Sequence, residues 1–172
     1  MATTFSADAD AARRRYSGGA MAFHWAIAIL VIVNWRIAEA AEHADGALKG
    51  EIFDYHKAVG ILILMLALGR LAWRFGHPGP PMPAHYAGWE RGLAKGLHAI
   101  FYVLLMGLPL GGWYANSLTG RDIDFFGLFS IPPLPVDVNK ELGGQIFDLH
   151  AFGGRGAAGA GRPAHPRSSI SQ

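Results

Sequence analysis

The chain has 172 residues, of which 51% are hydrophobic and only 16% are charged, and its formal net charge is +2. About a quarter of the residues of a typical soluble domain are charged, so this chain has few groups that keep a surface in water. It contains no cysteine, which excludes disulfides, iron–sulfur clusters, thiolate zinc sites and covalently attached c-type haem. The net charge is too small to indicate a nucleic-acid partner.

Three long apolar runs predict membrane-spanning helices, at about residues 18–38, 52–74 and 95–115. A helix needs roughly 20 residues to cross the hydrocarbon core of a bilayer. The alternative is a soluble bundle, whose helices would show a polar face at every turn, and these runs show none. A fourth helix is expected to start near residue 144. The predicted fold is therefore all-α, an integral membrane four-helix bundle with three full spans and a shortened or degenerate fourth.

The lysine and arginine residues predict that the N terminus lies in the cytoplasm, because positive charges collect on the cytoplasmic side of membrane spans. They are more frequent in the leader and in the connector between the second and third runs, at Arg13, Arg14, Arg15, Arg70, Arg74, Arg91 and Lys95. The other two connectors hold Arg36, Lys49, Lys57, Arg121 and Lys140. No cleavage site follows the first run, which we interpret as a retained span and not a signal peptide.

A histidine motif occurs twice, as IFDYHKAVG from Ile52 and as IFDLHAFGG from Ile146. Each copy opens a predicted helix that enters the membrane from the same side, so His56 and His150 are expected at one depth. A histidine within a span is energetically costly and is a functional-site hypothesis by default. The alternative is a histidine that only bonds a neighbouring helix.

The same topology places His24 and His98 together near the other membrane face, roughly 15–20 Å away at 1.5 Å per residue. Two layers of paired histidines predict two bis-histidine haem b groups, because imidazole is a usual axial ligand of haem iron and helix bundles hold cofactors in their interior. Zinc is the rival metal, but it takes three or four ligands. Three further histidines fall in connectors and are predicted surface residues: His43, His77 and His85.

Four segments around these histidines carry a family resemblance. They are RRRYSGGAMAFHW, FDYHKAVGILIL, GLAKGLHAIFYVLLMGLPLGGW, and FFGLFSIPPL followed by FDLHAFGG. Over about residues 15–154 the chain resembles the bacterial cytochrome b561 family of four-helix membrane cytochromes. The resemblance implies a multi-pass protein of the bacterial inner membrane with two haem b groups that exchange electrons, commonly with quinone. It also implies that His56 and His150 are axial ligands of the outer haem iron, and that His24 is a ligand of the inner one.

The end of the chain departs from this family pattern. The family's partner for His24 lies 14 residues beyond the position of His150, where this chain has Ala164. His165 is adjacent but lies between two prolines, in a stretch of Gly, Arg and Ser that cannot form a spanning helix. We therefore expect a membrane cytochrome b domain at residues 1–154. The remaining residues, 155–172, are expected to be an aberrant disordered tail, whose composition indicates a change of reading frame or a degenerate ending.

Three outcomes are open for the inner layer. The inner haem is lost, His98 replaces the missing ligand, or a partner subunit or second copy supplies a helix. Basic side chains near the two layers are candidates to pair with haem propionates: Arg13, Arg14, Arg15, Lys57 and Lys95. The alternative is that they only set the orientation of the chain in the membrane.

Two functions follow from these predictions. The first is electron transfer between a donor and quinone. The chain would act either alone, as a small oxidoreductase whose substrates include superoxide, or as the membrane anchor of a larger dehydrogenase. The second is a non-haem membrane subunit or transporter whose histidines carry protons or metal ions.

Overall fold

The computed structural model describes residues 17–77 and 87–158, with side chains to residue 154. Its helices are α1 (Gly18–His43), α2 (Gly46–Gly76), α3 (Gly88–Ser117) and α4 (Lys140–Ala158). A two-stranded antiparallel hairpin, β1 (Ile123–Phe125) and β2 (Phe129–Ile131), lies between α3 and α4. The prediction of an all-α bundle is confirmed. The leader arginines, His85, Ala164 and His165 lie outside the described residues.

Helices α1, α2 and α3 are long and apolar enough to cross a membrane, and they are the three such helices in the described part of the chain. The 31 residues of α2 extend about 46 Å at 1.5 Å per residue. Helix α4 has 19 residues and includes Asp148 near its middle. Three helices begin earlier than predicted: α2 at Gly46, α3 at Gly88 and α4 at Lys140. The molecule is thus a membrane bundle of three long apolar helices and a shorter, more polar fourth.

Helices α1 and α2 form an antiparallel pair joined by a two-residue link, and Gly46 begins α2 with a positive φ of 59°. We call the end of the bundle where α1 meets α2 the His56 end, and the opposite end the His24 end. Between the two ends the pair buries Ile27, Val59 and Ile63 against one another. Burial of such side chains against a neighbouring helix replaces their contact with lipid by close packing.

Glycine allows the close approach of α1 and α2 at the His24 end. A Cβ at Gly19 would lie 2.6 Å from Cζ2 of Trp73, a distance that a real side chain does not tolerate. The indole of Trp73 fills this space, and its Nε1 donates a hydrogen bond of 3.0 Å to Oγ of Ser17. Ser17 also caps α1, because its Oγ accepts from the backbone N of Ala20 at 3.3 Å.

Helices α3 and α4 pack closely near the His56 end. A Cβ at Gly143 would lie 3.3 Å from the carbonyl oxygen of Ala115, so the missing side chain lets the two backbones approach. The backbone N of Asn139 donates to the carbonyl of Leu118 at 2.9 Å. This bond ties the start of α4 to the end of α3.

The connector between α3 and α4 is folded against the helices. Ile123 and Phe125 of β1 are buried against Ala58 and Ile61 of α2. At the end of α3, Oγ of Ser117 accepts from the backbone N of Leu134 at 3.0 Å. The connector is therefore folded and packs against the His56 end of the bundle.

Candidate functional site

The bundle brings His56 of α2 and His150 of α4 together. Their ring centres are 6.0 Å apart, and their planes are inclined by 85°. Two imidazoles on one metal ion have ring centres about 6.3 Å apart, given metal–nitrogen bonds of about 2.0 Å and roughly 1.15 Å from each nitrogen to its ring centre. The observed separation is therefore close to that of two imidazole ligands of one ion.

Backbone carbonyls hold both rings at the same nitrogen. Nδ1 of His56 lies 3.2 Å from the carbonyl oxygen of Asn34 in α1, and Nδ1 of His150 lies 2.9 Å from that of Leu108 in α3. A carbonyl oxygen only accepts, so each Nδ1 carries the proton and donates. Each neutral ring then keeps a lone pair on Nε2, which is the form that a metal ligand requires.

Gly112 of α3 provides the space for the His150 ring. A Cβ at this position would lie 3.1 Å from Cε1 and 3.3 Å from Nδ1 of His150. Phe53, one turn before His56, meets the His56 ring edge-on with centres 6.4 Å apart. Both histidines are partly buried, so the pair sits inside the bundle and not on its surface.

The structure gives His24 a different arrangement. Its Nδ1 lies 3.2 Å from Nη1 of Arg70, toward the C-terminal end of α2. A guanidinium only donates, so Nδ1 of His24 accepts and the neutral ring carries its proton on Nε2. In this form Nε2 has no free lone pair for a metal ion. The Arg70 contact places His24 beside the later part of α2, whereas His56 lies near the beginning of that helix. His24 and His56 are therefore at different levels of the bundle, as predicted.

His98 lies on an exposed part of α3 and bonds its own helix. Its Nδ1 lies 2.7 Å from the carbonyl oxygen of Ala94, one turn earlier. No ring contact in the described part of the chain joins it to His24, whose ring neighbour is Trp25 at 5.5 Å. Of the two predicted histidine layers, the structure assembles only the one at the His56 end.

The other described histidines, and Lys57, have local partners. His43 bonds the carbonyl oxygen of Glu39 at 2.7 Å, and His77 stacks on Trp73 with ring centres 4.2 Å apart. Nζ of Lys57, one of the candidates to pair with a haem propionate, lies 2.5 Å from Oδ1 of Asp54 in the same helix. Lys95 is exposed on α3. None of these contacts extends the His56–His150 pair.

Sequence reasoning did not find the groups that hold the rings. Asn34 and Leu108 act through backbone carbonyls, which every residue type carries. Arg70 was counted among the charges that predict the membrane orientation, without a partner assigned to it. A charged residue within a span normally has a named partner, and that rule was the available signal for its contact with His24.

The donor set fits haem iron better than zinc. Within residues 17–77 and 87–158, no group of three or more His, Cys, Asp or Glu side chains is placed to hold a metal ion. A structural zinc site needs four protein ligands and a catalytic one needs three. Haem iron takes its axial ligands from the protein, and one or two histidines suffice.

An all-α membrane bundle that pairs two histidines from different helices is the architecture of a membrane cytochrome of the b type. The chain matches the prokaryotic cytochrome b561 family over residues 15–165, and it belongs to that family. The family implies a multi-pass bacterial membrane protein that contains haem b and transfers electrons.

Three curated relatives are similar to this chain. Cytochrome b561 homolog 2 of Escherichia coli (strain K12) is 30% identical over 74% of this chain and 69% of its own length. Probable superoxide oxidase CybB of Yersinia pestis is 28% identical over 80% of this chain and 77% of its own length. Cytochrome b561 homolog 1 of the same Escherichia coli strain is 25% identical over 79% of this chain and 77% of its own length.

Proposed function

We propose that this chain is a membrane electron-transfer protein whose single haem b is held at the His56 end by His56 and His150. The observation that carries the proposal is the ring pair at 6.0 Å, with both Nδ1 atoms donating to carbonyls of neighbouring helices. The family supplies the cofactor. In this proposal, residues 1–154 form the membrane cytochrome b domain.

The residues at the site perform three tasks. His56 and His150 present Nε2 lone pairs, and the carbonyls of Asn34 and Leu108 keep the proton on each Nδ1 and prevent the rings from turning. Val59, three residues after His56, is buried against Ile27 of α1 and keeps that side of α2 packed on its neighbour. Haem b, when bound there, supplies a one-electron couple at its iron.

His24 and His98 are proposed not to bind iron in this chain. Arg70 occupies Nδ1 of His24 as a donor, and His98 is exposed and bonded to its own helix. A haem at the His24 end would require His24 to give up the Arg70 bond and to find a second ligand. The same end would then depend on a partner subunit or a second copy.

We further propose that the electron partners are quinone within the bilayer and superoxide at the His56 end. Superoxide gives up one electron and becomes dioxygen, which suits a one-electron acceptor. The support is the name of the Yersinia pestis relative, a probable superoxide oxidase. The proposed orientation has a cytoplasmic N terminus in the bacterial inner membrane, so the His56 end faces outward.

Haem content tests the cofactor assignment. The full chain is purified in detergent, and reduced-minus-oxidised spectra are combined with haem and protein quantitation. We expect one low-spin haem per chain, its loss in His56→Ala and in His150→Ala, and its retention in the control variants His24→Ala and His98→Ala. Two haems per chain, or a colourless protein that carries zinc, would contradict the proposal.

A separate experiment tests the electron partners. The purified chain is mixed rapidly with superoxide, and haem reduction is followed by its absorbance; a short-chain ubiquinone is then added to the reduced protein. We expect reduction by superoxide and reoxidation by the quinone. A haem that binds normally but reacts with neither would contradict the partners while leaving the cofactor assignment intact.

A further inference from the structure

The tip of the β1–β2 hairpin exposes a cluster of large apolar side chains. Leu128 is 76% exposed, Phe129 is 55% exposed and Phe126 is 39% exposed. The turn between them is tight, because Phe126 and Gly127 both have positive φ angles, of 56° and 72°. Oδ2 of Asp124 accepts from the backbone N of Gly127 at 2.8 Å and stabilises this turn. The apolar cluster is thus held in a defined position.

The base of the hairpin fixes its depth in the bundle. Ile123 and Phe125 pack on Ala58 and Ile61 of α2, and Ala58 is the first residue of the uncharged stretch that follows Lys57. The hairpin therefore packs beside the first turn of the uncharged stretch of α2. Trp113, partly buried against the same cluster, donates from Nε1 to the carbonyl of Pro132 at 3.3 Å. A tryptophan at this level is typical of the membrane interface.

Two physical arguments favour lipid over water around the tip. Contiguous exposed apolar side chains mark an interaction surface, and Phe and Leu side chains next to a membrane surface enter the boundary between headgroups and acyl chains. The two-stranded hairpin has open edges whose backbone groups must stay hydrated. Only the tip can therefore enter, while Arg121 and Asp122 at the base stay among the headgroups.

We propose that the segment 126–129 inserts into the lipid leaflet at the His56 end, where acyl chains cover Phe126, Leu128 and Phe129. Insertion anchors the connector that leads from α3 to α4, and hence the start of the helix that carries His150. The proposal needs the membrane location of the bundle but not the haem.

The absence of cysteine from the whole chain allows a clean labelling experiment. Leu128→Cys and Phe129→Cys carry a nitroxide spin label, and the matched control is Val138→Cys, which is 60% exposed in the same connector. Val138 lies next to Gly120, beyond the end of α3. The full-length variants are reconstituted in vesicles of phosphatidylethanolamine and phosphatidylglycerol, and collisions with dioxygen and with a water-soluble nickel chelate are measured.

We expect collisions with the nickel chelate to be roughly tenfold rarer at positions 128 and 129 than at 138, because a polar reagent is excluded from the acyl region. Dioxygen collisions should be more frequent at 128 and 129, because dioxygen is concentrated in the acyl region. Equal nickel accessibility at all three positions would place the tip in water and overturn the proposal.

Dipolar coupling between labels of singly labelled chains at high lipid-to-protein ratio would also overturn the proposal, since a second copy would then cover the tip. Unchanged helical circular dichroism shows that each variant is folded.

Discussion

The rings of His56 and His150 lie 6.0 Å apart, and each donates from Nδ1 to a carbonyl of a different neighbouring helix. The pair itself comes from α2 and α4, while the two carbonyls come from Asn34 in α1 and Leu108 in α3. All four helices thus contribute to one site. A site built in this way forms only when the bundle is assembled, so haem binding and the packing of the helices are expected to depend on each other.

The angle between the two rings predicts a spectroscopic signature. The planes are inclined by 85°, and the two carbonyl bonds resist rotation of either ring. Near-perpendicular axial imidazoles leave two iron d orbitals nearly equal in energy, so we expect the ferric haem to give a strongly anisotropic low-spin signal with one dominant large-g feature. Electron paramagnetic resonance of the oxidised protein at low temperature measures this. An ordinary three-feature rhombic signal would mean that the rings lie nearly parallel.

Gly112→Ala is expected to weaken haem binding. The new Cβ would lie 3.1 Å from Cε1 of His150, so the ring must move and its bond to the carbonyl of Leu108 must lengthen. Loss of such a supporting contact typically lowers the affinity of a metal site by about tenfold or more. Haem titration of the apoprotein measures the change.

Gly111→Ala is the matched control for this substitution, because no atom lies within 4 Å of a Cβ at Gly111. Haem affinity in this variant should remain at the level of the unmodified chain. Equal affinity in the two variants would show that the His150 ring does not rest on Gly112.

Gly19→Ala is expected to destabilise the His24 end of the bundle. Its Cβ would lie 2.6 Å from Cζ2 of Trp73, which forces the indole away and breaks its bond to Ser17. Overpacking of this kind costs about 1–3 kcal/mol. Gly18→Ala, with no atom within 4 Å of its Cβ, is the control and should change stability by less than about 0.5 kcal/mol. Unfolding in mixed detergent micelles compares the two, and equal stabilities would contradict the tight contact with Trp73.

Asn34→Leu is expected to stabilise the protein. Oδ1 of Asn34 is buried without a hydrogen-bond partner among the described residues, and such a group costs about 1–3 kcal/mol. Leucine removes that cost and keeps the backbone carbonyl that holds His56, so the free energy of unfolding should rise by about 1 kcal/mol with haem content unchanged. The same unfolding measurement, together with the haem spectrum, checks both expectations.

Asn34→Asp is the opposing variant. It places a carboxylate in the same apolar position, and an uncompensated buried charge should destabilise the protein by about 3 kcal/mol or more. A loss of stability in Asn34→Leu as large as in Asn34→Asp would indicate that Oδ1 of Asn34 has a donor, such as a buried water molecule.

Much of the architecture could be predicted from patterns along the chain. In an uninterrupted apolar run of spanning length, the backbone groups find their hydrogen-bond partners within a helix, since a bilayer offers none. The repeated motif around His56 and His150 placed both residues near the start of helices that run in the same direction. That argument needs only the helical rise and the topology, and the structure brings these two rings together.

Other features did not follow from local patterns. The hairpin between α3 and α4 was not predicted, because its short strands are stabilised by packing on Ala58 and Ile61 of α2, which are distant in the sequence. Helix α2 begins at Gly46, before its apolar run, since polar residues continue a helix freely outside the hydrocarbon core. A hydropathy pattern shows which residues cross the membrane, but it does not show where the helix begins and ends.

The class of protein, the number of long apolar spans and the spacing of the histidines along the helices follow from composition and from distance along a helix. The group that each histidine ring meets depends instead on tertiary packing. His56 and His150 receive carbonyl oxygens that leave Nε2 free for a metal, whereas His24 receives a guanidinium that leaves Nε2 protonated. The difference lies in which groups the neighbouring helices bring to Nδ1, and that is a property of packing between helices that no single segment encodes.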